Sequence, residues 1–171
     1  MNKNIIYFDN AATSWPKPPE TVTVMQNYLL NIGGSPGRSG HRLSLEAARI
    51  VFNTRDKLAQ LFNVPDPLRI VLTKNATEGL NIAILGLLKS GDHVITSGME
   101  HNSVMRPLRI MEARGAEITV IPCDVDGLID PENIVKAIKK NTKAIFITHA
   151  SNVTGTVMPV ADIGRIAQER D

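Results

Sequence analysis

The sequence contains one cysteine, Cys123, and a single thiol cannot close an intrachain disulfide. That scarcity fits a reducing compartment, with cytoplasm as the default expectation. An excess of one charge is also missing: Lys and Arg number 19 against 17 Asp and Glu, a net +2. The basic residues are scattered and form no stripe that could follow a phosphate backbone, which argues against nucleic acid as a partner. Long apolar runs are absent as well. Ile5 to Phe8 is broken at once by Asp9-Asn10, too short for the apolar region of a signal peptide. The longest run, Ile82 to Leu88, contains a glycine and falls far short of a membrane span. A soluble protein is expected, with no membrane partner. No internal repeat or low-complexity tract occurs.

Two further absences narrow the chemistry. His41, His93, His101 and His149 show neither H-E-x-x-H nor paired Cys and His spacings, so no metal site is expected. No G-x-x-x-x-G-K-[ST] occurs, and the glycine-rich stretch at residues 33–40 follows no clear strand. A nucleotide-binding module is therefore poorly supported. A non-catalytic α/β association domain remains the other rival, and would use an uncovered sheet edge for pairing.

What the sequence does contain is enough apolar residues, 43%, to bury a sizeable core. From Arg69 onward, short β-rich runs alternate with helical patterns. Strands are predicted at Ile70 to Leu72, His93 to Thr96, Ile118 to Ile121 and Ala144 to Thr148. Helices are predicted at Thr77 to Leu88, Ser103 to Arg114, Pro131 to Lys140 and from Val160 onward. That rhythm predicts an α/β fold, a parallel sheet covered by helices on both faces. Asp126-Gly127 supplies a turn; Asp130-Pro131-Glu132 supplies an N-cap, a proline at the first helical position and an early acid. Residues 18–32 and 44–62 read as two earlier helices, the second with Ala47, Val51, Leu58 and Leu61 on one stripe. Between them lies a loop from Gly33 to Arg42, rich in residues that permit close approach to a ligand. The expected organisation is an N-terminal segment, 1–68, and an α/β domain, 69–171. The last helical pattern runs to Glu169-Arg170-Asp171 without a closing glycine or proline, which predicts a boundary inside a domain, with another buried strand to follow.

Three segments carry candidate chemistry. Thr73 to Gly79 opens a helix whose exposed amides, with the Thr77 hydroxyl, would form an anion site suited to phosphate; the plainer reading is that Asn75 or Thr77 caps the helix. Gly98 to Ser103 leaves a strand at its carboxyl end, where His101 could stack on a planar cofactor or move protons. It could equally be an exposed loop histidine. His149 to Thr156 leaves another strand at the same edge, with Asn152 and Gly155 serving a ligand or only a turn.

Taken together, Asn75-Ala76-Thr77-Glu78, Glu100-His101-Asn102-Ser103 and Ser151-Asn152-Val153-Thr154-Gly155 form a collinear set, with Asp9-Asn10-Ala11-Ala12 and Gly33-Gly34-Ser35-Pro36…His41 ahead of them. This set resembles the class V aminotransferase family, in particular its cysteine desulfurase and selenocysteine lyase branch. The resemblance implies the N-terminal part of the large domain of a fold type I (aspartate aminotransferase-like) enzyme that uses pyridoxal 5'-phosphate. It implies that Ala76 and Thr77 hold the cofactor phosphate, that His101 stacks on the ring and assists proton transfer, and that Asn152 bonds the phenolic oxygen. Asn10, Ala11, Ala12, Arg38 and His41 would border the substrate, expected to be L-cysteine, from which sulfur would be removed to leave alanine. Transamination or selenocysteine lysis would use the same front half. A homodimer and a sulfur-acceptor protein are implied partners. The family's ring-binding Asp and Gln and its cofactor-bonding lysine have no counterpart here, so the 171 residues by themselves are expected to be inactive. Lys74 occupies no family lysine position. Cys123 lies earlier than the family's reactive cysteine, and the adjacent Asp124 would oppose its thiolate, so a structural role is expected.

Overall fold

The structure is a computed structural model that describes residues 5–170. They divide into two compact units, one up to Leu72 and one from Thr73.

The first unit begins with a tight turn, in which the amides of Ala12 and Thr13 donate to the Asp9 carbonyl. Helix α1 (Pro19–Asn27) follows and widens into a π-helical turn over Tyr28–Ile32. Gly33, at φ 53°, ends it. The 20 residues of α2 (Arg42–Leu61) are amphipathic as expected, with Ser44, Ala47 and Ala59 buried. The predicted stripe is wrong at its end: Leu61 is 73% exposed, because the helix closes just beyond it. Asn63 takes a left-handed φ of 52°, which lets Val64 N–H reach the Ala59 carbonyl and Asn63 N–H the Gln60 carbonyl. Those two bonds satisfy carbonyls that the helix end leaves free.

Residues 70–72, predicted as a strand, are not one. Pro67–Arg69 forms a 3-10 turn, the Ile70 amide donates to the Pro67 carbonyl, and Val71 is 71% exposed. Three apolar residues in a row make a strand only beside a ladder partner, and no described residue pairs with them in a sheet.

The second unit is the expected α/β layer structure. In chain order it runs α3 (Ala76–Leu87), β1 (His93–Ser97), α4 (Asn102–Ala113), β2 (Glu117–Ile121), α5 (Pro131–Ala137), β3 (Thr142–Phe146) and α6 (Val160–Gln168). The three strands are parallel, in the order β2-β1-β3. Every residue of β1 is buried, as befits a central parallel strand covered on both faces. Successive side chains of a strand point to opposite faces, and the core divides accordingly. Val94 packs with Ile84, Leu88, Val104, Leu108 and Met111 of α3, α4 and their links. Ile95 packs with Ile121, Ile129, Ile134, Met158 and Ile163 on the other side. Full burial of side chains such as Ile84, Ile95, Leu108 and Ile134 contributes roughly 1.5–3 kcal/mol each. Cys123 packs, partly buried, against the second of these clusters, the surroundings of a small hydrophobe.

Two predicted elements end early for local reasons. Helix α5 stops at Ala137 rather than Lys140, because the Thr142 hydroxyl accepts from the Lys139 amide at 2.7 Å while the Thr142 amide donates to the Lys139 carbonyl. That reciprocal pair turns the chain out of the helix. Strand β3 stops at Phe146 rather than Thr148, because the Thr148 amide donates to the Glu100 side chain at 2.7 Å instead of continuing the ladder.

Candidate active site

The order β2-β1-β3 means that the chain leaves β1 toward one neighbour and later returns to its other side. Ligands of open α/β sheets sit at such a reversal, outside the carboxyl ends of the strands. Here the reversal falls between the segments that follow β1 and β3, and these carry Glu100-His101 and Ser151-Asn152.

Helix α3 reaches the same edge. Its 12 residues span about 18 Å, the five of β1 about 17 Å, and a short link joins them with reversed direction. Ile84 and Leu88 of the helix side share a core cluster with Val94 of the strand, and Leu80 packs against that cluster, so α3 runs back along the sheet and its start lies toward the carboxyl end of β1. The structure thus brings Ala76, Thr77, His101 and Asn152 to one edge of the second unit. Asn10, Ala11, Ala12, Arg38 and His41 belong to the first unit.

At the start of α3 both sequence readings have a physical basis. Asn75 is the cap: its Oδ1 accepts from the Glu78 amide at 2.9 Å. Glu78 reaches back so that Oε2 accepts from the Lys74 amide at 2.7 Å, and Lys74 Nζ lies 3.7 Å from its other oxygen. The cap leaves the amides of Ala76 and Thr77 with no protein acceptor among the described residues. Two free amides, a Thr77 hydroxyl without a partner among the described residues and the positive end of a helix dipole suit a phosphate group.

His101 caps α4, a role the linear sequence did not reveal. Its Nδ1 accepts from the Ser103 amide at 3.1 Å and lies 2.7 Å from the Ser103 hydroxyl. With Nδ1 occupied as an acceptor, the neutral ring carries its proton on Nε2, and that nitrogen is left for a ligand. The ring is exposed.

Asn152 lies at the tip of a small hairpin closed by the Ala150–Val157 bridge. Buried Ser151 builds its turn: Ser151 Oγ accepts from the amides of Val153 and Thr154, both at 3.2 Å. The Thr156 hydroxyl ties the other limb to the Asp126 carbonyl at 2.8 Å. The Asn152 side chain is exposed and has no partner among the described residues.

Glu100 is the residue that sequence reasoning passed over. Half-buried, it takes two hydrogen bonds on Oε1, from the Ser97 hydroxyl at 2.8 Å and from the Thr148 amide at 2.7 Å. Burial raises its pKa, and the bonds from Thr148 and Ser97 oppose the shift.

In the first unit, Asn10 Oδ1 accepts from the Trp15 amide at 3.2 Å, while Ala11 and Ala12 are exposed. His41 caps α2, its Nδ1 accepting from the Ser44 amide at 3.2 Å. The loop before it is pinned at both limbs, by Tyr28 Oη to the Gly34 carbonyl at 2.7 Å and by Ser44 Oγ to the Ser35 carbonyl at 2.8 Å. Gly34 is required there, since a Cβ would stand 2.6 Å from the Leu43 carbonyl oxygen. Arg38 is exposed at the loop's tip. Among the described residues no group of three or more His, Cys, Asp or Glu could hold a metal ion.

A helix start with two free amides, a histidine and an asparagine thus stand at the carboxyl edge of a parallel α/β sheet. Residues 6–171 match the sequence profile of the family described as aminotransferase class-V, and the chain belongs to that family. It is 36% identical over 173 residues to cysteine desulfurase IscS of Dictyoglomus turgidum, covering 99% of this chain and 43% of that protein. It is also 36% identical over 165 residues to a probable cysteine desulfurase of Methanothermobacter thermautotrophicus, covering 96% and 41%. Among solved structures, SspA in complex with cysteine superposes with a TM-score of 0.88 at 31% identity, covering 96% of this chain and 48% of that one. The apo cysteine desulfurase of Thermococcus onnurineus NA1 also gives 0.88, at 34% identity, covering 96% and 42%. The fold is therefore that of cysteine desulfurases, and the chain spans less than half the length of these relatives.

Proposed function

We propose that this chain is the front part of a pyridoxal-phosphate-dependent cysteine desulfurase, which removes sulfur from L-cysteine and leaves alanine. The reading is supported by the shared edge of the second unit, which carries the free amides of α3, His101 and Asn152. The cofactor, when bound, supplies an aromatic ring that spreads the negative charge developed on an amino-acid substrate. The chain's own residues do the rest. Ala76 and Thr77 would hold the phosphate, His101 would lie against the ring and could hold or move a proton at Nε2, and Asn152 would donate to the phenolic oxygen. Asn10, Ala11, Ala12, Arg38 and His41, which the resemblance assigns to the substrate border, all belong to the first unit. The lysine that bonds the cofactor and the cysteine that receives sulfur lie in the remainder of the protein.

Cysteine as substrate draws support from the relatives' names and from the cysteine-bound SspA structure. A homodimer with a sulfur-acceptor protein as partner, at work in the cytoplasm, completes the proposal. Among the described residues no helix is long and apolar enough to cross a membrane.

The test uses the full-length protein. Pyridoxal phosphate should give a visible absorption band that borohydride bleaches. L-cysteine with a thiol reductant should then yield alanine and sulfide in equal amounts. A full-length protein that takes up no pyridoxal phosphate, or that takes it up and makes no alanine from cysteine, overturns the proposal.

A further inference from the structure

The carboxyl edge of the sheet is held together by a side chain once its backbone ladder ends. The last pair of β1 with β3 is Thr96 with Phe146, and the Thr96 hydroxyl adds a bond to the Phe146 carbonyl at 2.9 Å. Beyond it, the Met99 amide donates to Ser97 Oγ at 3.2 Å, Ser97 donates to Glu100 Oε1 at 2.8 Å, and the Thr148 amide donates to the same oxygen at 2.7 Å. One carboxylate oxygen therefore joins the segment that carries His101 to the segment that leads to Asn152, residues 48 apart in sequence for the Glu100–Thr148 bond. The other oxygen, Oε2, has no protein partner among the described residues.

We infer that Glu100 is a positioning residue, which sets the spacing between the His101 and Asn152 segments by supplying one acceptor oxygen at the reach of a glutamate side chain. The inference rests on the proposed function for its effect on chemistry, though not for its geometry. What the bridge requires is length and an acceptor, not charge. Glu100→Gln keeps both, since its amide oxygen can take the bonds of Ser97 and Thr148 while the amide nitrogen occupies the unpartnered position. Glu100→Asp keeps the charge and loses one methylene of reach. The two variants therefore separate positioning from acid–base work, which would tolerate Asp and fail with Gln.

The experiment compares wild type, Glu100→Gln and Glu100→Asp in the full-length protein. Amide hydrogen exchange at Thr148 should quicken roughly tenfold in Glu100→Asp, the scale of a lost bond to a charged acceptor, and stay close to wild type in Glu100→Gln. On the loaded enzyme, Glu100→Asp should lower kcat by up to about 10²-fold, the cost of a displacement near 1 Å at a reacting site, and shift the visible band. Glu100→Gln should retain most of kcat. Protected exchange in both variants, equal damage in both, or a damaged Gln beside an intact Asp would each overturn the inference. The exchange readout needs neither cofactor nor substrate, so the expected exchange pattern in a protein that binds no pyridoxal phosphate would refute the proposed function while leaving the bridge in place.

Discussion

His93 Nδ1 lies 2.8 Å from Thr142 Oγ1, a contact through which the first residue of β1 grips β3. Its other nitrogen, Nε2, lies 2.8 Å from Thr119 Oγ1 of β2, so one buried ring clamps all three strands at the edge opposite His101 and Asn152. Burial lowers the His93 pKa; the Lys139 charge lowers it further, and Glu117 opposes both. In the unfolded chain the ring binds protons near its ordinary value of about 6.5. Because the unfolded state takes up protons first as pH falls, the clamp's contribution is fully present above about 6.5 and is lost as pH falls through the lowered folded value. Urea denaturation of the full-length protein over that window should show the decline, and His93→Leu should remove this component of it. Thr119→Val leaves a buried ring nitrogen unpaired and is expected to cost about 1–3 kcal/mol.

The start of α3 separates a structural role from a binding role in neighbouring residues. Asn75→Ala removes the acceptor of the Glu78 amide and should cost about 1 kcal/mol of stability in urea titration, the usual worth of an N-cap. Thr77→Val removes a hydroxyl that has no partner among the described residues, so stability should hardly change. Its effect should fall on pyridoxal phosphate instead, weakening the affinity by about tenfold or more, as expected for a lost bond to a charged group. Equilibrium dialysis of the cofactor against both variants distinguishes the two. A Thr77→Val protein with unchanged cofactor affinity would remove Thr77 from the phosphate site.

Most of the second unit was legible in the sequence because its signals are local. The strand–helix alternation, the Asp130-Pro131 helix start and the Asp126-Gly127 turn each declare themselves within a few residues, and the structure has α5 starting at Pro131 and Gly127 at φ 81°. The errors fall where a distant partner decides. Residues 70–72 carry strand chemistry without a ladder partner, and β3 ends early because a glutamate 48 residues back captures the Thr148 amide. Helix α5 ends early through a threonine hydroxyl that lies past the apolar pattern. The same limit applies to the candidate site. His101 and Asn152 stood out as polar residues at strand ends, but the groups that orient them did not. Ser103 on His101 and Ser151 on the Asn152 turn are serines of the quoted motifs whose partners only coordinates reveal. Glu100 sits beside His101 in one motif, and nothing in its own neighbourhood announces Thr148.

Ser151 provides the remaining test, because its hydroxyl does structural work one residue away from the group assigned to the ligand. Buried at 7% exposure, it accepts from the amides of Val153 and Thr154 and so fixes the backbone on either side of Asn152. Ser151→Ala leaves those two amides without their acceptor and should destabilise the full-length protein by about 1–3 kcal/mol. If the turn places Asn152 against the cofactor's phenolic oxygen, Ser151→Ala should also shift the visible band of the bound cofactor in the same direction as Asn152→Ala, since each variant withdraws the same donor. Ser151→Thr keeps the hydroxyl and should restore the band. Loss of stability with an unshifted band in Ser151→Ala, beside a shifted one in Asn152→Ala, would show that Asn152 reaches the ligand without help from the turn.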